Sequence, residues 1–214
     1  MKHRPIDFVT RDEADRARRA LDAYRRHYTG RHYETFARRS PPEAFAATDI
    51  VAVEMLAVRV PAHTSIWLLH DGADEVISLL RSVPPDLPIW SADVDLSPTG
   101  GLWRLWEAIR TRGGLGGRVV RSKLLAAKRP HAVPIYDQHV VAALSAPRDG
   151  YWAYWHDELS GTGGEELQTA ALAVAAAASA SDLSVLRILD IVIWMRQHGW
   201  KDMPELLADF ADPI

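Results

Sequence analysis

The sequence predicts an all-α, two-lobed helical domain with a cleft between the lobes, and three observations carry that expectation. Apolar residues recur at helical spacing along nearly the whole chain of 214 residues. Glycine and proline cluster between those runs. A hydrophobic content of 48% is enough for a substantial core. The lobe expected to carry most chemistry spans about residues 85–150, with the helices of 1–84 and 151–214 forming the remainder.

Taken in order, residues 11–27 mix charges at i, i+3 and i+4 with few apolar positions, which predicts a solvated helix. YTGRHYETF follows, a polar cluster in which Arg31 offers a phosphate contact or simply decorates a surface turn. Thr48 or Asp49 is placed to cap a helix through IVAVEMLAVRV, which is apolar on most faces and so reads as the buried central helix, stopped by Pro61. A further helix covers about 64–82, and the proline- and aspartate-rich segment after it reads as a loop.

LWRLWEAIR places Leu102, Leu105, Trp106 and Ile109 on one stripe. Glycines from 113 to 117 then break the pattern before a second helix to about Lys128, so residues 102–128 form two helices joined by a short glycine hairpin. After Pro134 a helix is expected from Gln138 to Leu144, with Asp137 at its start. A tryptophan-rich segment, an alanine-rich helix over 165–179 and a last helix from LSVLRILDIVIWMRQ to Gly199 complete the chain.

Charge is segregated despite a formal net of −3. Residues 1–40 carry +5, 41–100 carry −7, 101–131 carry +7 and 132–214 carry −8. Two basic blocks in an acidic chain point to a local anion site and argue against a basic coat for nucleic acid. The absence of cysteine excludes disulfides, thiol nucleophiles and thiolate metal sites. No apolar run is long enough to cross a membrane, and the first residues have no apolar leader pattern, so a cytoplasmic protein is expected. Nine histidines show no HExxH spacing, no phosphate-loop or G-x-S-x-G pattern occurs, and neither a metal nor a cofactor is assigned.

The most informative stretch is SKLLAAKRPHAVPIYDQHV, residues 122–140. Lys123, Lys128 and Arg129 supply the cations of a candidate phosphate grip, and Asp137 follows at a helix start. An N-cap role alone accounts for an aspartate there, yet a cap's second oxygen stays available for chemistry. Tyr136 is a candidate base contact, and His139 falls in the first helical turn as a supporting residue. In LRILDIVIWM, Arg187 and Asp190 stand at i, i+3 on an apolar helix, as a buried ion pair or as a second wall of the cleft.

The order helix, glycine hairpin with Gly114 and Gly116, helix, proline-containing loop and Asp137 resembles the helix–hairpin–helix DNA glycosylase superfamily. Gly116 precedes Asp137 by 21 positions, and YDQHV fits that superfamily's aspartate-x-histidine-hydrophobe pattern. Two departures stand out: Gly113 and Gly114 replace the hairpin proline, and Arg118 stands where a Schiff-base lysine would, which excludes amine-lyase chemistry there. YTGRHYETF, SKLLAAKRPHAVPIYD and LRILDIVIWM, taken together, resemble an actinobacterial family of unknown function.

The superfamily resemblance implies cleavage of an N-glycosidic bond in a nucleic acid, nucleotide or modified nucleoside. Asp137 would stabilise the sugar cation and activate water, and Lys123, Lys128 and Arg129 would bind phosphate. The alternative is a non-catalytic nucleic-acid- or protein-binding module that kept the fold.

Overall fold

A computed structural model describes residues 3–115 and 117–197. Among these residues it contains eleven α-helices and no strand. No described helix is long and apolar enough to cross a membrane. The chain divides into two compact units, one made of residues 1–28 and 137–214 and the other running from Thr29 to Tyr136.

The discontinuous unit starts with a 3-10 turn, Pro5–Phe8, and α1, Ala14–His27. α1 is amphipathic where the sequence pattern predicts a solvated helix: Ala17, Ala20, Leu21, Ala23 and Tyr24 are all buried. Alanine explains the difference, because a stripe of small side chains lets a neighbouring helix approach closely without reading as an apolar face. The unit continues with α8 (Gln138–Leu144), α9 (Tyr151–Ser160), α10 (Gly164–Ala177) and α11 (Val185–Gln197).

α11 packs on α1, α8 and α10. Nearly all of its side chains are buried, including Ile188, Leu189, Ile191, Val192 and Ile193. It is thus the central helix of this unit, a role the sequence pattern assigned to residues 50–60. The predicted end of the last helix at Gly199 lies outside the described residues.

The continuous unit holds α2 (Tyr33–Ala37), α3 (Ala47–Glu54), α4 (Ala62–Ile66), α5 (Ala73–Arg81), α6 (Gly101–Thr111) and α7 (Arg118–Lys128). α7 packs against α2, α3 and α6, so α2 to α5 share a unit with α6 and α7.

α3 is shorter than predicted. Asp49 accepts the Ala46 N–H at 2.7 Å, at the helix start, and the chain leaves the helix after Glu54, with Ala57 at φ 55°. The carbonyls released there find donors elsewhere in the unit: Thr29 Oγ1 donates to Met55 O at 2.8 Å and Lys123 Nζ to Leu56 O at 3.0 Å.

The predicted helix over 64–82 is interrupted by a π-helical turn, Trp67–Asp71. The Trp67 indole lies so close to Gly72 that a Cβ there would sit 2.2 Å from the ring. The hairpin between α6 and α7 is pinned from α4. Thr64 Oγ1 donates to Gly113 O at 2.6 Å, and His63 Nε2 lies 3.3 Å from Gly114 O. Gly114 adopts φ 66°, the left-handed region that favours glycine. Gly116 lies outside the described residues.

Candidate functional site

The three predicted phosphate ligands lie in the continuous unit, and all three are buried there. Lys128 Nζ sits 2.6 Å from Asp49 Oδ2, donates to Ser40 Oγ at 2.6 Å and to Pro41 O at 3.1 Å, which uses all three of its hydrogens. Burial pushes its pKa down, partly countered by Asp49. Arg129 is 1% exposed. Its guanidinium donates to Val83 O (2.7 Å), Pro42 O (2.8 Å), Lys128 O (2.6 Å) and Leu80 O. Burial likewise lowers its pKa.

Lys123 donates to Leu56 O, as above, and its own carbonyl accepts from Tyr33 OH at 2.5 Å. The expected phosphate grip is therefore corrected for Lys128 and Arg129, and Lys123 offers no open ammonium either. These cations tie α7 to the loop after α2, to the end of α3 and to α5. Their donors satisfy backbone carbonyls that no helix accommodates, which is why a charge block in the sequence becomes an internal clamp.

Arg31 is exposed on a 3-10 turn, Thr29–His32, with Nε 3.0 Å from His32 Nε2. Tyr136 is half-buried; its N–H donates to Ser122 Oγ at 2.8 Å, and the Arg118 guanidinium lies 5.3 Å from its ring centroid. The sequence reading overlooked Arg121. It stacks 4.0 Å over Trp106, with its pKa lowered to about 10 by burial and by Arg110 and Arg118, against an opposing pull from Glu107. The density of arginine between residues 104 and 121 was the available signal.

The carboxylate cluster lies in the other unit. Asp137 is the N-cap of α8, in extended backbone, and its Oδ1 accepts the His139 N–H at 2.8 Å. Among the described residues its Oδ2 accepts no hydrogen bond, and the side chain is half-buried. His139 thus takes part through its backbone.

From α11, Arg187 Nη1 reaches Asp190 Oδ2 at 2.5 Å and Nη2 donates to Tyr24 OH at 2.7 Å, while the guanidinium lies 5.3 Å from the Tyr24 ring centroid. Ser184 Oγ accepts the Arg187 N–H at 3.2 Å. Tyr28 stacks on Tyr24, and Trp194 meets both rings edge-on.

Tyr151 stands at the start of α9 and is buried. Burial is the main reason its phenol is driven far above its ordinary pKa, and the negative charges of Asp190 and Asp137 push the same way, against a hydrogen-bonding contribution from Trp155. The charges of Asp137 and Asp190 thus both bear on the Tyr151 phenol, and Arg187 pairs with Asp190. Asp190 is held by its ion pair, while Asp137 keeps an oxygen open. Tyr151 escaped the sequence reading because one tyrosine at a helix start carries no spacing signal. Among the described residues no group of His, Asp and Glu side chains is arranged to hold a metal ion.

A model for a family described as "Family of unknown function (DUF6308)" matches residues 14–197. No curated protein and no solved structure matches the chain.

Proposed function

The chain belongs to the DUF6308 family of unknown function, and from its own residues we propose that it is an N-glycosidase-like hydrolase acting on a nucleoside or nucleotide, with Asp137 as its carboxylate catalyst. The observation that carries this reading is the state of Asp137: one oxygen is fixed by the His139 N–H and the other has no hydrogen bond among the described residues. A carboxylate held in direction with a free oxygen is what such chemistry needs. Positive charge builds on the sugar as the base departs, and a fixed anion stabilises it.

In the proposed step, the oxygen of water bonds to the anomeric carbon as the carbon–nitrogen bond breaks. The proton of that water passes to Asp137 Oδ2. The bonding pair leaves with the base, which is protonated from solvent. Burial keeps the Tyr151 phenol neutral, and Asp190 is paired with Arg187.

The likeness in order between residues 102–145 and the helix–hairpin–helix glycosylases belongs to this proposal and rests on the sequence alone. The acidic segments on both sides of the basic block make an extended duplex a poor fit, and Lys128 and Arg129 are engaged by protein acceptors, so a small N-glycoside is the preferred substrate class.

The test incubates the full chain with a panel of nucleosides, nucleotides and damaged DNA, and assays released free base by mass spectrometry. Turnover by wild type that falls at least about a hundredfold in Asp137→Asn supports the reading. Asparagine caps a helix as well as aspartate does, so the loss is chemical. Silence across the panel, or turnover untouched by Asp137→Asn, overturns it and leaves the non-catalytic binding module.

A further inference from the structure

The chain contains two Asp–Gly sequences, Asp71–Gly72 and Asp149–Gly150. Aspartate followed by glycine is prone to backbone isomerisation, because glycine has no side chain to hinder its nitrogen from reaching the preceding carboxyl group. The reaction needs that nitrogen accessible and a backbone free to bend. The fold treats the two pairs in opposite ways.

Asp71 ends the π turn and α5 begins at Ala73, so the first pair lies between two helical segments. The Gly72 N–H donates to Trp67 O at 2.8 Å, and Gly72 is buried against the Trp67 indole. Ring closure there requires this part of the fold to open first. Asp149–Gly150 lies in the connection between α8 and α9, where residues 147–150 are all exposed. The Gly150 N–H donates no hydrogen bond among the described residues. Gly150 adopts φ 79°, and a Cβ added to it would meet no atom within 4 Å.

We propose that Asp149 is a site of spontaneous isoaspartate formation in the folded protein and that Asp71 is not. The Gly150 nitrogen bonds to Asp149 Cγ, the Cγ–OH bond of the protonated carboxyl group breaks, and the hydroxyl leaves as water with the amide proton. A water molecule then opens the succinimide. Breaking the bond from nitrogen to the Asp149 backbone carbonyl carbon leaves that carbon as a carboxylate and carries the chain onward through Cβ and Cγ. Breaking the bond to Cγ restores aspartate. The lengthened backbone falls just before Gly150, whose carbonyl accepts the Tyr154 N–H at 2.9 Å, so the change lands on the entry to α9. The inference is independent of the hydrolase reading.

Prolonged warm incubation of the full chain at mildly acidic pH, followed by chymotryptic digestion, tests it. Electron-transfer fragmentation of the peptides identifies isoaspartate, because only that isomer carries the Cα–Cβ bond in its backbone. Isoaspartate is expected to accumulate at Asp149 at least about tenfold faster than at Asp71, preceded by a succinimide one water lighter. In chain unfolded with guanidinium chloride the two sites should react at similar rates. Equal accumulation at the two pairs in the folded chain, none at Asp149, or an Asp71 that stays inert once unfolded each overturns the proposal.

Discussion

Asp137 carries two roles on two oxygens, and substitution separates them. Asp137→Ala removes the acceptor for the His139 N–H and is expected to cost about 1 kcal/mol of stability, whereas Asp137→Asn keeps the cap and should cost a few tenths at most. Urea denaturation of the three proteins checks the difference, and a large loss in Asp137→Asn would show that the ionised carboxylate itself holds the fold. Lys128 makes the opposite case, a charge whose whole environment is protein. Lys128→Met leaves Asp49 buried without its cation and is expected to cost about 3–5 kcal/mol. The pH dependence has a definite sign. Burial holds the folded-state pKa of Lys128 below the ordinary 10.5, so between the two values the unfolded chain keeps a proton that the folded chain has lost. Stability from this group therefore rises with pH across that interval, and wild type should gain on Lys128→Met as pH climbs toward 10.5.

At the scale of elements, the glycine hairpin between α6 and α7 is held by side chains of α4. Gly114 combines φ 66° with a Cβ position 2.7 Å from the His63 ring. Gly114→Ala is expected to destabilise the protein by about 1–2 kcal/mol, checked by the urea midpoint, because alanine must adopt a left-handed backbone and displace His63. Helix positions were largely legible: α6, α7, α8 and α10 fall close to where periodicity, the hairpin glycines and the Asp137 cap place them. The misses have physical causes. α3 stops early because Thr29 and Lys123 supply donors to the carbonyls of Met55 and Leu56, an arrangement no local pattern encodes. The π turn at Trp67–Asp71 reflects the indole wedged against Gly72. α1 hides its buried stripe because alanine serves both faces of a helix.

For the whole molecule, the net charge of −3 conceals blocks of opposite sign, and the structure uses those blocks differently. The basic block over 101–131 sends Lys128 and Arg129 inward, while Arg110 and Arg112 pair at the surface with Glu107 and Glu75. The sequence by itself determined the helical class, most helix positions and the cap at Asp137. Each of these depends on neighbours within a few residues, where periodicity, glycine and capping chemistry act. Only the tertiary structure decided that Lys128 meets Ser40, 88 positions away, that Arg129 serves the Leu80 carbonyl of α5, and that Arg187 meets Tyr24, 163 positions away. Whether a charge faces water or protein depends on partners distant in sequence, and local pattern carries no record of them.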